Sequence, residues 1–281
     1  MQEIIMDAII DSLKALPFLF GAYLLIEFLE HRASTRFTEA LARLGPLGPV
    51  GGAALGCVPQ CGFSVAAANF YAGRLITPGT LLAVFFATSD EALPILLSRP
   101  EALASLGKLL GVKLVAGAVL GIAADIVVSG FIKPEASQPF HDLCKDCGCE
   151  EKGVFRSALS HTVRIFLFLL LVAVVLNCAV AWVGEARISR LLLSGSAFQP
   201  LLTALIGFLP NCAASVILTE LYLSGSLSFG ATVAGLCTGA GMGLLVLFKV
   251  NKNMKENLCI VGVLYGSAVV TGALCQMIFP V

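Results

Sequence analysis

The chain has 281 residues and no formal net charge, and it is 58% hydrophobic and only 13% charged, where an ordinary soluble domain has roughly 45–50% and about 25%. A larger core does not account for so wide a gap, and a neutral chain gives nucleic acid no electrostatic footing. Apolar runs of bilayer length, roughly 17–25 residues, recur throughout, and the alternation of a membrane β-barrel is absent. The expected class is therefore all-α, a polytopic membrane protein.

Residues 1–14 are acidic and lack a basic n-region or a small-residue cleavage site, so no secretory leader is expected there. Ile4, Ile5, Ala8 and Ile9 against Asp7, Asp11 and Lys14 predict an amphipathic stretch at the interface. The first span is expected near 15–29 and ends in "LIEFLEH", which sets Glu27, Glu30 and His31 on one helical face. Glu30 and His31 read as solvated, and Glu27, one turn deeper, is a candidate substrate ligand at the cytoplasmic mouth.

Next comes an apolar run near 47–72 that is interrupted by "GCVPQCGFS" at 56–64. Pro59 removes one backbone hydrogen bond and blocks another, and lipid supplies no replacement, so such a break survives only where it faces protein or a water cavity. Gln60, Cys57, Cys61 and Ser64 stand beside it as candidate substrate and soft-metal ligands. A run at 77–97 follows and contains "ATSDEALPIL". Asp90 and Glu91 lie well inside it, where an acidic residue costs roughly 2.5–3.5 kcal/mol on insertion scales. With Thr88 and Ser89 they offer a hard oxygen environment of the kind Mn²⁺ and Mg²⁺ accept. Lys113, about ten residues into the run at 104–132, reaches a similar depth and is a candidate ion-pair partner for one carboxylate.

The linker at 133–160 holds "HDLCKDCGC". His141, Cys144, Cys147 and Cys149 supply one imidazole and three thiols, enough for a four-coordinate soft-metal site. Redox chemistry or a structural role are the alternatives. Beyond it lie a span at 162–184 and a second interrupted run at 198–223 with "GFLPNCAAS", in which Pro210, Asn211, Cys212 and Ser215 repeat the earlier motif. A span at 228–249 contains "TGAGMG", read as packing glycines, and a last span covers 257–280. Cys178, Cys237, Cys259 and Cys275 read as small buried hydrophobes.

A shift of 151 residues, without a gap, lays the second half on the first. Pro49 meets Pro200, Gly56 meets Gly207, Pro59 meets Pro210, Cys61 meets Cys212, Ser64 meets Ser215, and Tyr71 meets Tyr222. Gly79 meets Gly230 and Gly121 meets Gly272, whereas Asp90 and Glu91 meet Gly241 and Met242. The chain thus divides into a first repeat at 1–132, a Cys-rich loop at 133–160 and a second repeat at 161–281. Duplicated halves with interrupted segments point to a secondary transporter whose site lies between the repeats. A channel or a carrier of a small organic solute is the alternative. No Walker loop, nucleotide fingerprint or Ser/His/Asp arrangement appears, so neither ATP-driven pumping nor enzymatic activity is expected, and no resident cofactor is required.

Short basic loops stay in the cytoplasm. That places Arg32, Arg36 and Arg43 there, together with Lys249, Lys252 and Lys255, and puts both termini outside the cell membrane. If each Pro-broken run turns back as a hairpin, the repeats are inverted and the basic linker is also cytoplasmic; if it crosses, the halves are parallel and the linker is exported. Charge placement favours the inverted form.

The segments "GCVPQCGFSVAAANFYAGRLITPGTLLAVFFATSDEALPILL", "HDLCKDCGC", "GFLPNCAASV" and "FKVNKNMKENL" resemble the ten-span heavy-metal exporter family. Its members are also called arsenic efflux permeases and, in some lineages, manganese transporters. The resemblance covers nearly the whole chain and implies export of a metal or metalloid, with Pro59, Gln60, Cys61, Ser64, Asp90, Glu91, Pro210, Asn211, Cys212 and the linker cysteines as the matching positions. Ten segments fit six full spans plus two hairpins of half-helices. Export is expected to be coupled to protons through the carboxylates or driven by the membrane potential, and a divalent cation such as Mn²⁺ is preferred over arsenite because an intramembrane acidic pair is the costlier feature to keep.

Overall fold

The computed structural model describes residues 47–58, 61–89, 92–131, 198–210 and 212–279, with isolated helical positions between 16 and 24 and between 155 and 174. Every regular element among the described residues is helical: α1 Gly48–Gly56, α2 Cys61–Ala72, α3 Pro78–Ala87, α4 Ala92–Leu97, a 3₁₀ turn Pro100–Ala102, α5 Leu103–Phe131, α6 Gln199–Gly207, α7 Cys212–Leu223, α8 Phe229–Thr238, α9 Met242–Val250 and α10 Met254–Ile278. The bounds of α1, α2 and α3 recur in α6, α7 and α8 shifted by 151 residues, and α5 and α10 start at equivalent positions. The register read from Pro, Cys and Tyr is thus also the register of helix starts and stops.

Among the described residues, four apolar runs are long enough to cross a membrane: Pro78–Leu97, Pro100–Val127, Phe229–Val250 and Met254–Ile278. They match four of the six full spans expected from the sequence; the runs at 15–29 and 162–184 fall largely outside the described residues. Residues of α3 and α8 are buried nearly all round, whereas α5 and α10 expose long apolar faces with Val115, Val119, Val270 and Leu274. A helix apolar on every face belongs at the centre of the bundle, so α3 and α8 form its axis and α5 and α10 its lipid-facing wall.

Small residues set the helix directions. Going along α1, Gly48 faces Thr80, Gly52 faces Thr80 and Val84, and Gly56 faces Val84 and Ala87, so α1 and α3 run the same way. α2 must therefore return the chain to the side from which α1 starts. At 1.5 Å per residue α1 is about 14 Å long, half the thickness of a hydrocarbon core of roughly 30 Å, so α1 and α2 form a hairpin of half-helices. In the second half, Ser228 donates its N–H to Gln199 Oε1 at 3.3 Å, and Thr203 and Thr238 hydroxyls donate to Ala231 O at 2.6 Å and Ala204 O at 2.7 Å, fixing α6 parallel to α8 in the same manner.

α5 runs back against α3 through a crossing in which Gly79 and Gly121 meet backbone to backbone; a Cβ on Gly121 would lie 2.5 Å from Gly79 O. Gly230 and Gly272 make the equivalent crossing of α8 with α10, where a Cβ on Gly272 would lie 2.6 Å from Gly230 O. Both central helices also start alike. Thr77 and Ser228 cap α3 and α8 by accepting from Thr80 N and Ala231 N, which satisfies donors that a helix start leaves open.

The two halves are laced together crosswise. α2 packs along α9 and α7 meets α4. Tyr71, near the end of α2, donates to Glu256 in the first turn of α10, and Tyr222, near the end of α7, donates to Ser105 in the first turn of α5 at 2.7 Å.

One expectation needs correction. The runs at 77–97 and 228–249 were expected to be continuous helices, but α3 stops at Ala87 and α8 at Thr238, and the next helices start at Ala92 and Met242. Thr88 leaves the helical region at ψ 127° and Gly241 takes φ 54°, a left-handed value that glycine adopts freely. Of the glycines in "TGAGMG", Gly243 does pack as expected, against Ser64 of α2, where an added Cβ would lie 2.7 Å from Ser64 Cβ. Gly239 and Gly241 instead form the interruption.

Candidate functional site

The ends of interrupted helices meet in pairs within each half. α1 ends against the end of α3, since Gly56 abuts the Val84 carbonyl and Ala87. α6 ends against the end of α8 in the same way, with Gly207 on the Gly235 carbonyl and the Thr238 hydroxyl. Both half-helices close with the same backbone bonds, Val58 N to Leu55 O at 3.1 Å and Leu209 N to Ile206 O at 3.0 Å. Each half-helix end is therefore held beside the stop of the helix that begins the next span.

Lys113 ties these regions across the halves. Its side chain is fully buried, and Nζ donates to the Thr88 carbonyl, to Ser89 Oγ at 3.1 Å and to Leu236 O at 2.9 Å. Two of these acceptors belong to the turn between α3 and α4, and the third to α8 of the other half. The carbonyls at a helix C-terminus carry its negative dipole end, so α3 and α8 present complementary charge to the ammonium. Thr88 Oγ1 donates to Val84 O at 2.8 Å and Ser89 Oγ to Ala87 O at 3.0 Å, which shapes the turn leading into Asp90.

The structure brings Thr88, Ser89 and Lys113 together, where the sequence reading paired Lys113 with Asp90 or Glu91, and puts Ser64 at the seam between α2 and α9. Cys57 is half-buried at the end of α1, packed on Ala53, Ala83 and Ala87. Pro210 falls in the break before α7, and Ser215 is buried on α7. Pro59, Gln60, Asp90, Glu91, Asn211 and Glu27 lie outside the described residues, as do His141, Cys144, Cys147 and Cys149; Cys61 and Cys212 are placed only as the first residues of α2 and α7. Among the described residues, Cys57, Cys237, Cys259 and Cys275 are free thiols, and no three His, Cys, Asp or Glu side chains gather to hold a metal.

Three features went unread in the sequence. The Tyr71 and Tyr222 contacts were visible only as a matched pair of tyrosines at the 151-residue spacing. The helix stop at Thr88 had a signal in the Thr-Ser pair, and the stop at Thr238 had one in the Gly-Ala-Gly that follows it.

No curated protein and no solved structure matches the chain. The family described as "Putative, 10TM heavy-metal exporter" matches residues 1–185 and 174–279, nearly the whole length. With all-helical described elements and four span-length apolar runs, the chain is a multi-pass membrane protein that belongs to this heavy-metal exporter family.

Proposed function

We propose that the chain is a secondary transporter that exports a metal or metalloid ion from a site between two inverted repeats, divided at 1–132, 133–160 and 161–281. The observation that carries this reading is the meeting of interrupted helices from both halves around the buried Lys113. Broken helices with half-helix ends aimed at a common point are how transporters build ion sites at the midplane.

The inverted arrangement is supported by which ends touch. Tyr71 lies on the side where α1 and α3 start, and Glu256 on the side where α9 ends and α10 starts, yet the two are bonded. Tyr222 and Ser105 repeat this at the opposite end, and Lys108, near the start of α5, lies 5.1 Å from the Phe279 ring just past the end of α10. With this orientation Arg74, Lys249, Lys252, Lys255 and the start of the linker share one side. Positive-inside reasoning makes that side cytoplasmic and both termini external.

In the site, Asp90 and Glu91 supply negative charge and Lys113 balances one of them, leaving one charge for a cation. Gln60, Asn211, Thr88, Ser89, Ser64 and the carbonyls freed by Pro59 and Pro210 orient the ion, with Glu27 at the cytoplasmic mouth. Cys57, Cys61 and Cys212 are the softer ligands, and His141, Cys144, Cys147 and Cys149 form a separate trap or sensor in the loop. The oxygen-rich set favours Mn²⁺ over arsenite, and protons are the coupling ion.

Uptake into inverted vesicles tests the reading with Mn²⁺, Zn²⁺, Cd²⁺, Co²⁺ and arsenite, comparing Asp90→Asn/Glu91→Gln with Cys61→Ser/Cys212→Ser. The acidic pair should abolish Mn²⁺ flux and the cysteine pair should leave it largely intact. Flux of every ion unaffected by both changes would end the metal reading. The reverse pattern, with arsenite flux lost on changing the cysteines, would make the substrate a soft metalloid.

A further inference from the structure

We infer that Tyr71, Arg74 and Glu256 at one end of the seam between the repeats, and Tyr222 and Ser105 with Arg99 and Glu220 at the other, are the two gates of the transport path. This rests on the two-repeat transporter reading above and assigns to it residues outside the central site.

The gates are equivalent by position. Tyr71 and Tyr222 are 151 residues apart, and so are their partners Ser105 and Glu256. Each tyrosine sits near the end of the returning half-helix of its own repeat and bonds the first turn of the long helix of the other repeat. The turn after each tyrosine is equivalent too: Arg74 has φ 58° and Gly225, at the matching position, φ 75°. A non-glycine residue at positive φ is uncommon. At Arg74 the left-handed turn sets the guanidinium on Glu256, with Nη1 and Nη2 donating to the two carboxylate oxygens at 2.6 and 3.0 Å.

Their location fits the task. α2 and α7 carry the candidate ligands Ser64 and Ser215, so a half-helix hairpin that tilts away from the facing repeat opens a route from one side to the breaks. The bond between its tyrosine and the opposite long helix resists that tilt. The two contacts lie at opposite ends of the molecule, so one can part while the other holds, as alternating access demands.

They also differ in chemistry. The first is charged and bidentate, and the Glu256 carboxylate holds the Arg74 guanidinium above its ordinary value, so Arg74 keeps its charge across the physiological range. The second is a neutral hydroxyl pair, reinforced only by an ion pair between Arg99 and Glu220 at 3.2 Å whose side chains are each about half exposed, 53% and 48%. Charge-assisted bidentate bonds are the stronger kind, so the resting protein keeps the Tyr71 gate shut more firmly than the Tyr222 gate.

The test uses the full chain in proteoliposomes. A membrane-impermeant maleimide is added from either side, and the fraction of Cys57 modified is read by peptide mass spectrometry, alongside Mn²⁺ flux. Arg74→Ala should raise Cys57 modification about fivefold from the side of the 73–77 turn only, the effect of losing interactions of this class. Tyr222→Phe with Ser105→Ala should raise it from the other side only. The exchange Arg74→Glu/Glu256→Arg should restore the wild-type pattern, which loss of fold would not do. Moving the charged pair, Arg74→Gly/Glu256→Ser with Gly225→Arg/Ser105→Glu, should reverse the preferred side. Modification that rises from both sides alike, or from neither, overturns the gates even if Mn²⁺ is transported. A side-specific shift with no flux of any ion upholds the gates and removes the proposed substrate.

Discussion

Gly79 and Gly121 in the first repeat cross as Gly230 and Gly272 do in the second, and Thr77 caps its helix as Ser228 does. Around these shared contacts the side chains have diverged. Lys113 stands where the second repeat has Leu264, and Glu256 stands where the first has Ser105. The helix crossings have no freedom, because at each the backbones are in contact and any side chain would collide. The charged positions have that freedom, and it is there that the two halves differ.

The largest expected effect comes from filling a shared crossing. Gly79→Leu and Gly230→Leu should each abolish monodisperse protein in detergent, since overpacking against a fixed backbone exceeds the usual penalty of about 1–3 kcal/mol. Gly107→Leu, at a glycine with no atom within 4 Å of a built Cβ, should leave the elution profile unchanged. Should the two crossings respond differently, the repeats do not share one scaffold.

Next is the exchange that makes the first repeat resemble the second. Lys113→Leu takes a donor from the buried Thr88 and Leu236 carbonyls and should cost about 1–3 kcal/mol, seen as a lower Tm, with loss of Mn²⁺ flux. Leu264→Met, at the equivalent position, should cost under about 1.5 kcal/mol and keep flux. Normal flux in Lys113→Leu would mean that the asymmetry has no role in transport.

A smaller change is expected at the ends of the seam. Glu256→Gln should lower stability by about 1 kcal/mol, because its partner Arg74 is half-exposed and its field is screened, and the difference should shrink in molar salt. Smallest of all, Glu220→Gln should stay within about 0.5 kcal/mol in thermal melts, since both partners of that pair are solvated. An effect larger than that of Glu256→Gln would reverse the assigned order of the two gates.

Much of this was legible from residues. Pro59 and Pro210 announced interruptions because proline cannot sit in a span without freeing backbone groups, and the helix bounds of the two halves keep the register those prolines defined. Helical rise alone put Lys113 near the level of Thr88 and Ser89, which accept its bonds; the carboxylates expected to pair with it lie outside the described residues. The stops at Thr88 and Thr238 went unread, because hydropathy averaged over a span-length window outweighs the short Thr-Ser and Gly-Ala-Gly signals that mark them. Nor were the bonds of Tyr71 and Tyr222, which join residues more than a hundred positions apart and leave no local pattern.

By itself the sequence determined the solvent, the 151-residue register shared by the two halves and the places where helices break. These follow from local chemistry: apolar content decides lipid against water, and proline and glycine decide where the backbone ladder fails. Only the tertiary structure decided that α1 and α2 form a hairpin rather than a crossing, and that each half clamps the other at its far end. Those outcomes depend on which helix lies alongside which. A short apolar helix is equally content going forward or turning back until glycine-lined contacts such as Gly56 on Val84 and Gly207 on Gly235 fix its neighbour.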